Sequence, residues 1–318
     1  MSIPPPPLKA SVDPVTGEVL ETEELRMEGL AQLRRAIAAA GFREVRKDDQ
    51  FLLAFLRARK YEVPRALEVL KNFSNFWYSN PTLINGLCAE KIRRVYDLDF
   101  LRTLSTSKDV HGNAVSLMFV GNLDYSQVTD FEMLQMSLYN SLYCFESDLY
   151  SRRGLTIVES FEGFSMWRMA MVQKKLAEPG QQSALTFGLD TIPMRIRSLY
   201  VVKQPWYFTA FWHAIKWVFR KKLRDRVVLL GNNFSRLHAA VPPEALPAEF
   251  QGTLQEAKSA WLDDRARDEA EKGMIGGFAL PLDVEDPTGE RRRASMAASG
   301  GAAGSVVAAA PEAGSKTI

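Results

Sequence analysis

The sequence predicts an α/β protein in two parts: a small N-terminal helical bundle, then a layered domain with a largely parallel or mixed sheet. Two observations carry this reading. Apolar residues recur at helical spacing from Glu21 to about Tyr96, and after Phe100 short β-branched runs alternate with helical stretches. Composition agrees, because 46% hydrophobic and 25% charged residues in a chain of 318 are those of an ordinary globular protein.

Taken in order, residues 1–20 are expected to form a disordered tail, since Pro4 to Pro7, Pro14 and Gly17 favour an extended chain. Leu25, Leu30, Leu33 and Ile37 mark a first amphipathic helix, which Gly41 should stop. Asp48 and Asp49 put acid at the positive end of a second, whose apolar stripe is Phe51, Leu52, Phe55 and Leu56. A third begins near Pro64, runs through Leu67, Leu70, Phe73 and Trp77, and ends at Asn80-Pro81. These helices make a lobe over 21–97. Within 98–254, strands are expected at Ala114–Val120, Leu155–Val158, Ile196–Val202 and Val227–Leu230, with helices at about 130–150, 166–190 and 206–225. Residues 255–284 read as a helical extension. Residues 285–318, with Ala, Gly and Ser after Arg291 to Arg293, read as a disordered tail. The run Arg291 to Ser295 has the form that a basophilic kinase reads.

Several functions are disfavoured. A balance of 40 basic against 38 acidic residues, net +2, is not that of a nucleic-acid-coating protein. Cys88 and Cys144 cannot build a disulfide framework and fit a reducing compartment. The start, Met1-Ser-Ile-Pro, lacks the basic and apolar regions of a signal peptide, and no run of about 18 apolar residues occurs. The nearest, Trp206 to Phe219, is interrupted by His213 and Lys216. A cytoplasmic, monomeric protein is the expectation. Phosphate-binding glycine loops, the zinc-helix motif and the nucleophile elbow are missing, and His111, His213 and His238 are too dispersed for local metal-ligand spacing. No enzyme, cofactor or metal is therefore expected.

One stretch departs from the average. From Arg195 to Arg226 there are nine basic residues and one acid, Asp225, interleaved with Tyr200, Trp206, Tyr207, Phe208, Phe211, Trp212, Trp217 and Phe219. The segment from Asp263 to Glu290 has the opposite bias, nine acids and three basic residues. At 100° per residue, Phe208, Phe211, Trp212, Ile215, Val218 and Phe219 share one helix face, while His213, Lys216, Trp217 and Arg220 fall on the other. Such a helix is either a core helix with a charged back or an apolar lid whose basic, Trp-bearing surface suits an anionic membrane. Arg195, Arg197, Lys203, Lys221, Lys222, Arg224 and Arg226 could then offer donors to phosphate groups.

Phe51-Leu-Leu-Ala-Phe-Leu-Arg-Ala-Arg-Lys-Tyr resembles the N-terminal helical motif of the CRAL-TRIO lipid-binding proteins. Gly154-Leu-Thr-Ile-Val-Glu-Ser-Phe-Glu-Gly, Ile192-Pro-Met-Arg-Ile-Arg, Gln204-Pro-Trp-Tyr-Phe, Gly231-Asn-Asn and Leu246-Pro-Ala-Glu-Phe-Gln-Gly resemble successive landmarks of that family's lipid domain, in order over about 48–254. The nearest subgroup is that of cellular retinaldehyde-binding protein, α-tocopherol transfer protein and the clavesins. The resemblance implies a helical lobe, then an α/β lobe whose mixed sheet floors an apolar cavity under a gate helix at about 204–221. It implies binding and transfer of a hydrophobic lipid such as a retinoid or tocopherol, and a basic cleft for phosphatidylinositol bisphosphate at Arg59, Arg195, Arg197, Lys222 and Arg226. Glu159, Met166 and Trp206 would line the cavity, and Phe208, Phe211, Trp212, Ile215 and Phe219 would face it from the gate. Reversible association with endosomal or other anionic membranes follows from the same likeness. A phosphoinositide-reading adaptor in vesicle traffic is the competing reading. The chain departs from the family pattern at Ile192, where an aromatic is usual, at Gln251, where glycine is usual, and in a long stretch containing Ala177-Glu-Pro-Gly-Gln-Gln. These changes are expected to border the cavity.

Overall fold

Thr22 opens the first helix, α1 (Glu23–Ala40), by accepting the Leu25 N–H at 3.2 Å, and Gly41 closes it with a left-handed φ of 62°. The computed structural model describes residues 8, 10–13, 19–41, 45–124, 126–177, 191–218 and 221–272. Asp48 caps α2 (Asp49–Ala58) through the Phe51 N–H at 3.1 Å, and α3 (Val63–Ser79) carries Pro64 in its first turn and ends at Asn80. Two short helices that the sequence pattern did not disclose follow, α4 (Pro81–Ile84) and α5 (Ala89–Tyr96). The region expected to be one helix over 130–150 is two, α6 (Asp130–Glu146) and α7 (Asp148–Arg153), because Ser147 between them is extended at φ −82°, ψ 117°. A reciprocal Thr129–Glu132 capping box starts α6. Phe51, Phe55 and Phe73 meet Phe145 of α6 with ring centroids 5.6 to 6.4 Å apart, joining the N-terminal helices to the rest of the core.

The described residues form one five-stranded mixed sheet in the order β1 (Leu101–Lys108), β2 (Ala114–Phe119), β3 (Leu155–Ser160), β4 (Ile196–Val202) and β5 (Val227–Gly231). The first pair is antiparallel and the other three are parallel. Four strands stand within a residue or two of their expected positions. The fifth, β1, escaped notice because Leu101-Arg-Thr-Leu-Ser-Thr-Ser-Lys is mostly polar. Its Arg102 is buried all the same, forked onto Asp99 at 3.0 and 2.6 Å and joined to Glu249 at 3.1 Å. A buried arginine requires such partners.

The two faces of the sheet differ. On one, Val115, Leu117, Phe119, Val158, Val202 and Leu230 are sealed by α11 (Phe234–His238) and by Leu246 and Phe250. The other face is covered by α6 and α7 at one end, and at the other by α8 (Met166–Ala177) and α9 (Trp206–Ile215). The helix expected over 166–190 is described only to Ala177, and 178–190 lie outside the described residues. The helix expected over 206–225 is broken: α9 gives way to a tighter turn at Lys216–Val218, and α10 spans Lys221–Arg224. Of the six residues projected onto one face of an unbroken helix, the side chains of Phe208, Phe211 and Trp212 are described. The side chains of Ile215 and Val218, and all of Phe219 and Arg220, lie outside the described residues.

At the ends, Val12 and Val19, inside the tail expected over 1–20, pair as an antiparallel bridge, and the Leu20 N–H donates to the Ser11 carbonyl at 2.8 Å. The expected C-terminal helix is α12 (Ala260–Lys272). Its Glu269 accepts the Ala89 N–H at 2.9 Å, capping α5, whose preceding residue Cys88 supplies no side-chain cap. Residues 273–318, with Arg291 to Ser295, lie outside the described residues.

Candidate functional site, an apolar sheet face beside an arginine cleft

Strand register aligns side chains across the half-covered face in two rows. Ser116, Ile157, Leu199 and Val227 form one; Met118, Glu159, Val201 and Leu229 form the other. Ile157, Leu199, Val227, Met118 and Leu229 are only half-buried, although the other face of the sheet is closed. Glu159 is the one ionisable group in either row. It too is half-buried, yet its protein surroundings desolvate it enough to push its carboxyl up to about 7. Glu159 thus stands in an otherwise apolar row, with the residues around it withdrawing its carboxyl from bulk water.

The helix α9 packs on this end of the sheet. Phe208 packs on Phe161 with centroids 4.0 Å apart and edge-on to Phe164 at 6.3 Å, while the Tyr207 hydroxyl donates to the Phe164 carbonyl. Phe211 and Trp212 are half-buried on the same helix. Two of the proposed lining residues do not face inward: Trp206 is 78% exposed and Met166 is 61% exposed. Each is the first residue of its helix, α9 and α8, and so projects from the helix end rather than from the packed face. Exposed Trp167 adjoins Met166 in sequence, and exposed Trp217 sits between the Lys216 ammonium and the Arg224 guanidinium, 5.2 and 4.3 Å from its ring centroid.

The corner that enters α9 joins two of the sequence motifs. Gln204 accepts the Gly231 N–H through its side-chain oxygen at 3.0 Å, and Lys203, at a left-handed φ of 54°, donates to Glu162 at 2.6 Å. The departures from the family pattern resolve separately. Ile192 is fully buried, and Met194 beside it packs against Tyr150 and Leu155. Gln251 lies away from the half-covered face. It follows Phe250 on the sealed face and takes a φ of 56°, the conformation in which glycine is free of strain.

The second half of the site is a cleft of about 590 Å³ near the start of β4. Arg57, Arg152, Arg153, Arg195 and Arg197 line it with His111, Asn113 and Ser198, against two carboxylates, Asp13 and Glu21. Arg195 donates to the Ser151 carbonyl at 3.2 Å and to that of Arg152, and Arg197 donates to the Arg153 carbonyl at 2.7 Å. Both therefore cap the C-terminal end of α7, where carbonyls and the helix dipole favour cations. Arg226 donates to the Ile196 carbonyl, which brings the turn between α10 and β5 beside Arg195 and Arg197. Lys222 is exposed on α10.

Arg59 is not among the lining residues. It is the C-cap of α2, two residues and about 200° beyond Arg57, and donates to the Ala58 carbonyl. Arg57 enters instead, its side chain 2% exposed, forked onto Glu21 at 2.8 and 2.8 Å and joined to Asp148 at 3.2 Å and Ser151 at 2.9 Å. Burial acts to raise the Glu21 carboxyl, but the Arg57 fork outweighs it and holds the group below the usual range. Sequence reasoning missed Arg152 and Arg153; the signal was their position just before the Gly154 landmark. His213 is exposed and His238 faces the Phe250 carbonyl at 3.0 Å; among the described residues no cluster of His, Cys, Asp and Glu could hold a metal.

The stretch from β1 to the turn at Gly252 matches the family model of the CRAL/TRIO domain, over residues 103–252. Residues 103–252 belong to the CRAL/TRIO family. The whole sheet but the start of β1, both faces and α6 to α11 thus lie within this CRAL/TRIO domain, whereas Arg57, Asp13 and Glu21 come from outside it. Beyond the domain, the chain is 30% identical over 212 residues to Clavesin-1 of Xenopus laevis, covering 66% of this chain and 62% of that one. It is 29% identical over 245 residues to Clavesin-1 of Mus musculus (74% and 66%) and 27% identical over 244 residues to Clavesin-2 of Homo sapiens (75% and 73%). The aligned part thus spans just under two thirds of the length of these clavesin-1 relatives. The crystal structure of Sfh5 overlays with a TM-score of 0.44 at 13% identity, over 80% of this chain and 100% of that one, too distant to argue from. No described helix is long and apolar enough to cross a membrane.

Proposed function

We propose that the protein binds a hydrophobic lipid between α9 and the sheet and exchanges it with membranes whose bisphosphorylated inositol headgroups dock at the arginine cleft. The observation that carries this reading is the one-sided sheet, sealed on one face and only half-buried on the other, where Glu159 interrupts an apolar floor. Burial at roughly 25 cal/mol per Å² of apolar surface lets such a floor compete with a bilayer for a long apolar molecule. A retinoid, tocopherol or similar ligand with one polar end fits this floor. Glu159, holding its proton up to about 7, can donate to a carbonyl or accept from a hydroxyl.

Release needs a bias that membranes supply and water does not. Because the turn that follows α10 lies beside Arg195 and Arg197, phosphates held there would stabilise whichever position of α9 brings Lys222 and Arg226 closest to them. Trp206, Met166 and Trp217 are exposed where an apolar interface would receive them. The reaction class is transport, with no bond made or broken.

The test is transfer of a fluorescent retinoid or tocopherol between vesicles with and without phosphatidylinositol bisphosphate. Transfer should accelerate with the phosphoinositide, and Arg195→Ala with Lys222→Ala, checked for native near-UV circular dichroism, should remove the acceleration. A rate indifferent to both sinks the trigger. Native mass spectrometry on protein from its own cell gives the second arm: a stoichiometric lipid supports transfer, and an empty chamber favours a phosphoinositide-reading adaptor.

A further inference from the structure

We infer that the arginine cleft selects a phosphate ester that also bears free hydroxyls: Arg153 holds a phosphate, and His111 and Ser198 read the hydroxyls beside it. This rests on reading the cleft as a phosphate site. Its arginines are not equivalent. Arg57 is forked onto Glu21 and joined to Asp148, and Arg152 stands 3.8 Å from Glu21 and 3.7 Å from Asp148. Arg195 and Arg197 donate to the carbonyls that end α7. Arg153 also lines the cleft but is exposed, and among the described residues its guanidinium has neither a hydrogen bond nor an ion pair. It can turn onto a phosphate without breaking an existing contact, and a guanidinium pairs with phosphate bidentately.

The rest of the lining does not suit phosphate alone. Asp13 and Glu21 present carboxylates, which repel a phosphate but accept from a hydroxyl, while an imidazole and a serine hydroxyl, from His111 and Ser198, can each donate and accept. Both of these share one support, the buried carboxylate of Asp109. It accepts the His111 N–H at 2.9 Å, the Asn113 N–H at 2.8 Å and the Asn113 side-chain amide at 2.7 Å, which fixes the turn that carries His111. It also accepts the Thr156 hydroxyl at 2.7 Å, and Thr156 is the β3 partner of Ser198. The side chains of His111 and Ser198 themselves have no hydrogen bond among the described residues. Groups held in place by their neighbours yet unsatisfied meet a ligand at little ordering cost. A bare phosphate gains only the arginine, whereas a hydroxylated phosphate ester gains both sets of contacts.

The experiment uses the full chain, Arg153→Ala, and the double variant His111→Ala with Ser198→Ala. None of these side chains holds a described hydrogen bond, so both variants should keep native near-UV circular dichroism. Calorimetry compares free inositol trisphosphate with tripolyphosphate, which has phosphates and no carbon-borne hydroxyl. Sedimentation compares phosphatidylcholine vesicles containing phosphatidylinositol bisphosphate with vesicles brought to the same surface charge by phosphatidic acid. Wild type should prefer the hydroxylated probe. Arg153→Ala should weaken binding of that probe about ten-fold, and the double variant should cut the preference about ten-fold. Preference on vesicles alone identifies a lipid headgroup as the ligand, and preference among the free probes identifies the phosphate ester itself; either supports the inference. Binding by wild type with no preference, or a preference that survives the double variant, overturns the hydroxyl readers. Binding by Arg153→Ala as tight as wild type overturns the phosphate contact. Each of these leaves the phosphate site standing. If wild type binds none of the four probes, the phosphate reading falls and this inference with it.

Discussion

Glu159 is one carboxyl in an apolar row, and its protonation ties stability to pH. The folded protein holds that proton up to about 7, whereas an unfolded glutamate loses it at about 4.3. Between those values the native state binds more protons, so this residue makes stability decline as pH rises through the window and level off above it. Glu159→Gln should therefore be more stable than wild type at about pH 8, with the gap closing towards about pH 5, as read by urea titrations at both pH values. Glu21 works in the opposite sense. Its carboxyl is held below the ordinary range, so its contribution is present above about 4.3 and lost as pH falls below that. Glu21→Ala leaves the buried Arg57 short of its fork and should cost about 3 kcal/mol in urea unfolding near neutral pH. Neither behaviour was legible in the sequence. Glu159 entered through a likeness, and nothing in Glu21 announced a partner 36 positions away.

At the scale of elements, caps and apolar stripes made α1, α2 and α3 readable, because their ends are fixed by local side chains: Thr22, Gly41, Asp48, Asn80. What failed was set by long-range partners. The strand β1 depends on Arg102 finding Asp99 and Glu249, and α5 depends on a cap from Glu269. The extent of α9 was misjudged because a 100° projection assumes an unbroken helix, and the chain tightens at Lys216 instead. The closing turn offers a direct check of local strain. Gln251 occupies a left-handed position that costs an L-residue about 1–2 kcal/mol, while glycine loses more chain entropy on folding. Gln251→Gly should thus raise stability by up to about 1 kcal/mol, visible as a higher thermal midpoint. Gly252→Ala should do the reverse and severely so, since an added Cβ would stand 1.9 Å from the Leu246 carbonyl oxygen.

Across the whole molecule, the basic stretch of the sequence separates into two jobs. Arg195 and Arg197 reach the cleft, with α7 supplying Arg152 and Arg153, while Lys216 and Arg224 flank an exposed tryptophan. Vesicle binding should accordingly have two components. Raising salt from about 0.1 to about 0.5 M should weaken the headgroup-dependent part, because screening shortens the range of the arginine field. Trp206→Ala with Trp217→Ala should weaken attachment at every salt concentration, read by sedimentation. The sequence showed the surplus of charge in this region; only the fold distributes it.

Arg57 lies outside residues 103–252 yet clasps Asp148 and Ser151 inside them, and Phe145 within them rests on Phe51, Phe55 and Phe73 from outside. The stretch inherited as a family is therefore smaller than the stretch that folds. Expressed alone, 103–252 should expose Phe145 and bind a hydrophobic dye, whereas 19–272 should not. The boundary that evolution copies is not the one at which a protein engineer should cut.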